Sequence, residues 1–350
     1  MRMRKRRSAA AGGLVVAITL SACTQAPGTG GGEANGALTV VCGAQEDWCQ
    51  ALTAAFQRKT GIKTGFVRLS SGEAVARLRA SKDSPEFDVM HGGPADGYVA
   101  AKQENLLAAY SSPVAGDIPA RYKDPEGYWT GVYVGALGFC SNTGVLKRLG
   151  LSAPTSWQDL LAPKLAKQVG SAHPATSGTA YVAVWTQVML HGGDQDAALE
   201  YFKKLKTNVL QYSKSGSAPG QQAGRGEIAT GVIFAHDCVK FQDEGMTDLQ
   251  LTYPAEGTGY EVGAVGLIAG ARNPDAAKKY IDFALSPEAQ EIGPTVKSYQ
   301  LPTNPKATVS AKSVDLSTVK LIDYDFVAAG DAKKDLVARF DSDIATAPKE

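Results

Sequence analysis

Cysteine is scarce in this chain, five residues in 350, with no Cys-x-x-Cys pair and no paired-histidine spacing, so the usual zinc signatures are excluded. Basic and acidic residues nearly cancel, 36 against 35, which leaves no charge excess of the kind that a nucleic-acid partner needs. Beyond the N-terminus there is no run of 18 uninterrupted apolar residues, so nothing in the body of the chain reads as a membrane span. A Gly-x-Ser-x-Gly elbow, a His-Glu-x-x-His helix and a Walker loop are all missing, which removes the common signatures of serine hydrolases, zinc peptidases and nucleotide-phosphate enzymes. No internal repeat occurs, and biased composition is confined to residues 24–36.

What is present begins at the first residues. Arg2, Arg4, Lys5, Arg6 and Arg7 precede a short apolar stretch over 9–20 that runs into Leu20-Ser21-Ala22-Cys23. That stretch falls short of the roughly 20 residues a bilayer needs and suits the apolar core of an export signal. Small residues before a cysteine form a lipobox. Residues 1–22 are therefore expected to be removed and Cys23 to be diacylated, giving an extracytoplasmic protein lipid-anchored to the bacterial cell membrane. Residues 23–36, rich in Gly, Ala and Pro, read as a flexible tether. Cleavage removes five basic residues and no acidic ones, leaving a balance of −4. About 310 residues remain, enough for two domains with real cores. The other cysteines are Cys42, Cys49, Cys140 and Cys238. In an oxidising compartment an even number suggests disulfides, the alternative being buried thiols. Of the three pairings possible, Cys42–Cys49, which closes a short loop, and Cys140–Cys238 are favoured.

Along the chain, residues 37–42 read as a buried strand, 48–59 as a helix closed by Gly61, 63–69 as a second strand and 74–80 as a second helix opened by Ser70-Ser71-Gly72-Glu73. A third strand over 87–90 leads into the loop His91-Gly92-Gly93-Pro94 and a helix through Lys102. This β-α-β-α-β order implies a parallel sheet covered by helices, with ligand positions at the carboxyl ends of its strands. A second alternating set follows: strand 168–171, helix 181–189, helix 197–206, strand 209–212 and strand 228–235. Long apolar strands over 132–140 and 262–269 bracket it and are expected to cross between two α/β lobes. The expected domains are lobe 1, from residues 37–135 plus 270–350, and lobe 2, from 136–269.

Several phrases then carry a resemblance. Ser70-Ser71-Gly72-Glu73, Asp88-Val89-Met90-His91-Gly92-Gly93 and Ser177-Gly178-Thr179-Ala180-Tyr181 stand at expected cleft loops. Asn273-Pro274-Asp275-Ala276-Ala277, Leu285-Ser286-Pro287-Glu288-Ala289-Gln290 and Tyr299-Gln300-Leu301-Pro302-Thr303-Asn304-Pro305 recur through the superfamily. With this layout the chain resembles the substrate-binding lipoproteins of ATP-driven (ABC) importers, in the group that holds ferric-ion, hexose-phosphate and phosphonate binders. The resemblance implies an α/β, two-lobed periplasmic-binding-protein fold of type II, with a ligand cleft between lobes joined by two crossing strands. It also implies a monomer that closes on its ligand by a hinge, delivers it to a membrane permease and uses no cofactor. Ferric binders of the group carry adjacent tyrosines after a strand that follows a Gly-Glu-Ile-like turn. Here Gly226-Glu227-Ile228 leads instead to His236-Asp237, and no Tyr-Tyr pair exists in the chain. The pair resembles the sugar-hydroxyl contacts of hexose-phosphate binders, with Glu256 or Glu261 as a nearby acidic partner.

Three segments could hold an oxyanion: Ser70, Ser71 and Gly72 at one helix start, Thr176, Ser177, Gly178 and Thr179 at another, and Ser213, Lys214 and Ser215 after a strand. Free backbone N–H groups, the helix dipole, hydroxyl donors and one cation suit a phosphate or phosphonate there. His91, Gly92 and Gly93 could approach the ligand from the third strand; Trp129 and Tyr133 could wall the cleft; His173, before Pro174, reads as structural. The leading expectation is capture of a small organophosphate, sugar phosphates first, or of a phosphonate, whose ammonium Asp237 or Glu261 could pair. Ferric capture without phenolates is the alternative. An exported hydrolase is remote, because neighbours on a strand point to opposite faces and His236-Asp237 would not form an oriented pair.

Overall fold

The apolar run over 37–42 becomes an inner strand of a sheet. In the computed structural model, which describes residues 37–349, β1 (Leu38–Cys42) is buried at four of its five positions. Cys23 and the expected export signal and tether lie outside the described residues. Helix α1 (Glu46–Thr60) starts on Glu46 and Asp47, ends on Arg58 and Lys59, and stops at Gly61, whose φ of 73° lets its N–H reach back to the Gln57 carbonyl. Its buried face, Trp48, Cys49, Leu52 and Phe56, has helical spacing and packs against the sheet. Strand β2 (Thr64–Arg68) leads directly into α2 (Ser71–Ala80), where the Glu73 carboxylate accepts the Ser70 N–H at 3.2 Å. Strand β3 (Val89–Pro94), helix α3 (Ala95–Gln103) and the short β4 (Leu107–Ala108) complete the first run.

Strand β5 (Thr130–Asn142) is thirteen residues long and buried throughout. After it come α4 (Thr143–Leu149), β6 (Val169–Ala172), α5 (Gly178–Leu190), α6 (Gln195–Leu205), β7 (Val209–Ser213), α7 (Ala218–Gly224), β8 (Thr230–Phe234), α8 (Ala235–Asp243) and β9 (Leu249–Thr252). The chain returns through β10 (Tyr260–Ile268), α9 (Pro274–Ala284), α10 (Pro287–Gln290), β11 (Leu301–Pro302) and the long α11 (Phe326–Asp343). β2, β1 and β3 pair in parallel; β10 then runs antiparallel between β3 and the first part of β5, Thr130 to Ala136. The rest of β5, from Leu137 on, pairs antiparallel with β8 and β9, and β8, β6 and β7 continue in parallel. One strand therefore serves two sheets, and the β9–β10 stretch carries the chain back. The two-lobed α/β architecture expected from the sequence is the one observed. Helix α11 packs along α3 and also reaches α5 and α6.

Two local expectations are corrected. The third strand does not stop at Met90: it continues through His91 to Pro94, with Gly92 and Gly93 at φ of 78° and 83°, and His91 sits opposite Cys42 of β1 and Val265 of β10. The strand expected over 228–235 ends at Phe234, and the chain turns straight into α8. His236 and Asp237 therefore stand on a helical first turn rather than at a strand end, because Cys238 and Phe241 have the spacing of a buried helical face.

Cys42 is bonded to Cys49 and Cys140 to Cys238. The first bond ties the end of β1 to the first turn of α1, and the second ties β5 to the first turn of α8. They close segments of very different length, 7 and 98 residues apart in sequence. Loop-closure entropy then assigns about 4–5 kcal/mol to Cys140–Cys238 and about 2 kcal/mol to Cys42–Cys49. Urea unfolding of the two double Cys→Ser variants should show that order. Equal losses would mean that loop length does not set the contributions.

Candidate functional site

The carboxyl ends of the parallel strands in both sheets face one another across a cleft. From the first sheet come Gly43, Ala44 and Gln45 after β1, Arg68 at the end of β2, Ser70 and Ser71 at the start of α2, and Gly93 and Pro94 at the end of β3. Tyr133 on β5, Glu261 on β10 and Gln300 before β11 close that side. The second sheet contributes Ser177, Gly178 and Thr179 at the start of α5, Gly216 and Ser217 after β7, and Phe234, His236 and Asp237 at the β8–α8 junction.

Contacts across the cleft hold the two sides together. The Gly72 N–H donates to the Thr176 carbonyl at 2.8 Å, an approach that only glycine permits, since a Cβ at position 72 would lie 2.2 Å from the Ala175 oxygen. The Gln45 amide donates to the Asp237 carboxylate at 2.6 Å. Beside it the buried Lys240 ammonium pairs with Asp47 and donates to the Val296 carbonyl at 3.2 Å.

One end of the cleft is built for an anion. The N-termini of α2 and α5 converge there, with the hydroxyls of Ser70, Ser71, Ser177, Thr179 and Ser217 around them. Arg68 adds a cation. Its Nε donates to the Ala44 carbonyl at 3.3 Å, and among the described residues no carboxylate stands within ion-pairing distance of it. A guanidinium left without a counter-ion in the same cleft as two helix N-termini attracts a dianion.

The other end is a buried acid–imidazole cluster. His236 Nε2 lies 3.8 Å from Asp237 Oδ1 and 3.8 Å from Glu261 Oε1, too far for a hydrogen bond. His236 Nδ1 has no partner and faces Gly135, where a Cβ would stand 2.5 Å away. The ring stacks on Phe234 with centroids 5.5 Å apart. Burial lowers the His236 pKa, opposed by Asp237, and so favours the neutral imidazole. Burial, reinforced by Asp237 and Asp96, holds the Glu261 carboxyl well above its ordinary range and favours its protonated form. Tyr133, whose oxygen accepts the Gly93 N–H at 3.0 Å, is likewise kept neutral, mainly by burial and then by Glu261. Neutral donors and acceptors beside one carboxylate can hold hydroxyl groups or an ammonium.

The structure brings together Ser70, Ser71, Gly93, Ser177, Gly178, Thr179, His236, Asp237 and Glu261, and it selects Glu261 over Glu256. Glu256 is outside the cleft and accepts the Ser156 hydroxyl at 2.6 Å. Other expected residues stand behind the lining. The Gly72 N–H is used by Thr176, and the Thr176 hydroxyl donates to the Lys214 carbonyl at 3.0 Å. The Ser213 hydroxyl turns to the Ser215 carbonyl, and Ser215 to Ser217. Lys214 leans toward Glu73 at 4.0 Å instead of the cleft. Gly92 lies behind Gly93, and His91 points into the core between Trp48 and Tyr280, with burial lowering its pKa to about 4. Of the proposed walls, Tyr133 lines the cleft and Trp129 does not. The helical setting of His236-Asp237 replaces the opposite-face argument against a catalytic pair. The relevant fact is now the 3.8 Å gap, with no serine hydroxyl donating to the ring.

Sequence reasoning missed Arg68, Gln45, Ser217 and Gln300. Arg68 had a usable signal, a basic residue ending a strand just before a Ser-Ser-Gly helix start. Gln45 and Gln300 reach the site only through tertiary packing. Among the described residues no group of three or more His, Cys, Asp or Glu converges to hold a metal ion, and no helix is long and apolar enough to cross a membrane.

Residues 83–329 match the model of a family described as bacterial extracellular solute-binding proteins. The solved structure of the periplasmic binding protein AfuA from Actinobacillus pleuropneumoniae, with exogenous fructose 6-phosphate bound, is similar with a TM-score of 0.85 and 41% identity, covering 88% of this chain and 98% of that one. A Salmonella typhimurium periplasmic protein named for binding 2-aminoethylphosphonate is 31% identical over 69% of this chain and 70% of its own length. The ferric binding protein from Campylobacter jejuni, at 20% identity and a TM-score of 0.73, covers 87% of this chain and 98% of its own and shares the fold.

The charge state of Glu261 has a measurable consequence. A carboxyl whose folded-state pKa is raised contributes stability fully below its unfolded value, near 4.5, and loses it as pH rises through the folded value. Glu261→Gln, neutral at every pH, should therefore raise the melting temperature by a few degrees at neutral pH. That gain should vanish on acidification below about pH 4.5. A gain that is the same at both ends of a pH series of thermal melts would contradict the assignment.

Proposed function

The chain belongs to the bacterial extracellular solute-binding protein family, and from that premise we propose that it captures a small organophosphate, a sugar phosphate first, for delivery to the permease of an ABC importer. The observation that carries this reading is Arg68, a cation without a carboxylate partner among the described residues, lining the same cleft as two helix N-termini and the His236, Asp237 and Glu261 side chains. Phosphorus oxygens would meet Arg68, the hydroxyls and the amides of the two helix starts. Sugar hydroxyls would meet His236, Asp237 and Glu261. The likeness to a protein that binds fructose 6-phosphate supports the choice. The likeness to one named for 2-aminoethylphosphonate supports the second reading, in which Asp237 pairs the ammonium. The ferric alternative has no such support, because the likeness to ferric binders extends to the fold alone.

Calorimetry with fructose 6-phosphate and 2-aminoethylphosphonate tests both readings. Arg68→Ala should weaken whichever ligand binds by roughly 10- to 100-fold, since it removes a charged hydrogen-bonding partner. His236→Ala and Asp237→Ala should each cost the sugar phosphate at least about tenfold. A ligand whose affinity ignores Arg68 would sink the anion assignment. Selective binding of the phosphonate would give the second reading precedence.

Cys23 is the proposed lipid anchor, with residues 24–36 giving the reach to dock on a permease. Cys23→Ala should release the protein from the membrane fraction while leaving ligand affinity unchanged. Retention in that fraction would refute the anchor.

A further inference from the structure

His173 was read from the sequence as structural, and its surroundings give it a sharper part. The imidazole is wholly buried. Its Nδ1 accepts the Ala175 N–H at 3.1 Å, so Nδ1 carries a lone pair and the proton sits on Nε2. Nε2 then donates to the Ala345 carbonyl at 2.6 Å, just past the end of α11. The ring also stands edge-on to Phe340 of that helix, with centroids 5.2 Å apart. The His173 carbonyl accepts the N–H groups of Thr176 at 3.1 Å and Ser177 at 2.9 Å, shaping the turn that starts α5. Backbone bonds thus give the turn its local shape, and the imidazole decides where the turn sits relative to the C-terminal helix. The same turn presents Ser177 and Thr179 to the cleft and accepts the Gly72 N–H from the other sheet.

We propose that His173 is a positioning residue: it braces the anion-facing turn of α5 against the last residues of the chain, so that the C-terminal segment sets ligand affinity from outside the cleft. The inference rests on the organophosphate reading only for which ligand responds, not for the brace. Loss of the ring would take away the partner of the Ala175 amide and of the Ala345 carbonyl at once, both in part-buried hydrogen bonds, and the turn would relax toward other partners.

Three variants separate the parts. His173→Ala removes both links. His173→Asn keeps an acceptor near the Nδ1 position and loses the tie to Ala345. Deletion of residues 344–350 keeps the ring and removes its acceptor. Hydrogen exchange on the ligand-free protein should show the amides of residues 175–179 exchanging at least roughly tenfold faster in His173→Ala and in the truncation, while those of β1 keep their protection. His173→Asn should restore protection at Ala175. Fructose 6-phosphate affinity should fall roughly tenfold in His173→Ala and in the truncation. Unchanged exchange at 175–179 in both would overturn the proposal, and the truncation keeps it testable should His173→Ala fail to fold. Accelerated exchange in a protein whose wild type ignores fructose 6-phosphate would uphold the brace and refute the sugar-phosphate reading instead.

Discussion

The cleft depends on one strand being shared. β5 is buried along all thirteen residues and spends its hydrogen bonds on β10 and β11 in its first half and on β8 and β9 in its second. Because the backbone groups of a buried strand must be paired, the two sheets are built outward from a common strand and cannot separate completely. Their other strands are mostly parallel, and parallel strands followed by helices put helix N-termini at the same end. Two sets of N-termini on either side of a common strand make an anion site that neither set makes alone. The two disulfides reinforce this, each pinning the first turn of a helix that supplies cleft residues, Gln45 beside α1 and Asp237 in α8.

Much of this was legible in the chain because it was written in local terms. The β-α-β order, the Ser-Ser-Gly and Thr-Ser-Gly helix starts and the departure from a tyrosine pair are all short-range patterns, and they placed a part of the lining, from Ser70 and Ser71 to His236 and Asp237. The misses share a cause. The strand to Pro94 continues past Met90 because Gly92 and Gly93 adopt positive φ, which sequence allows without requiring. Helix α8 begins without a polar cap, so the usual start signal was absent and His236-Asp237 looked like a strand end. Glu256 and Glu261 could not be told apart because the difference is one of pairing across 100 residues or more: Glu256 meets Ser156 in a surface loop, while Glu261 lies on β10 opposite Gly135. Arg68 is a different kind of omission. Its importance comes from a partner it lacks, and only a folded chain reveals an unpaired charge.

Closure and recognition use the same atoms. Asp237 accepts the Gln45 amide across the cleft and also lines it. Lys240, one turn along α8, is buried against Asp47 and Val296 on the opposite side. Opening the cleft would return that ammonium to water, and its carboxylate is already exposed, so the pair adds little to the net stability of the closed form. What it adds is register: the two helices meet in one arrangement, and in that arrangement Asp237 points at the ligand space already oriented by an amide.

The electrostatics of the interior argue against a metal cation as cargo more firmly than the missing tyrosines do. A ferric ion needs several ionised oxygen donors. Burial holds the Tyr133 phenol and the Glu261 carboxyl in their neutral forms, and Asp237 adds to both effects. Each would have to lose a proton inside a wall that disfavours ionisation, in a cleft that also holds a guanidinium, which repels a cation. An organophosphate asks the reverse of every group. Its anionic end would be stabilised by Arg68 and the helix N-termini, and its hydroxylated end would need hydrogen-bonding groups without net charge. Keeping Glu261 protonated and His236 neutral supplies them, so the burial that makes this cluster costly to fold also suits it to a hydroxylated ligand.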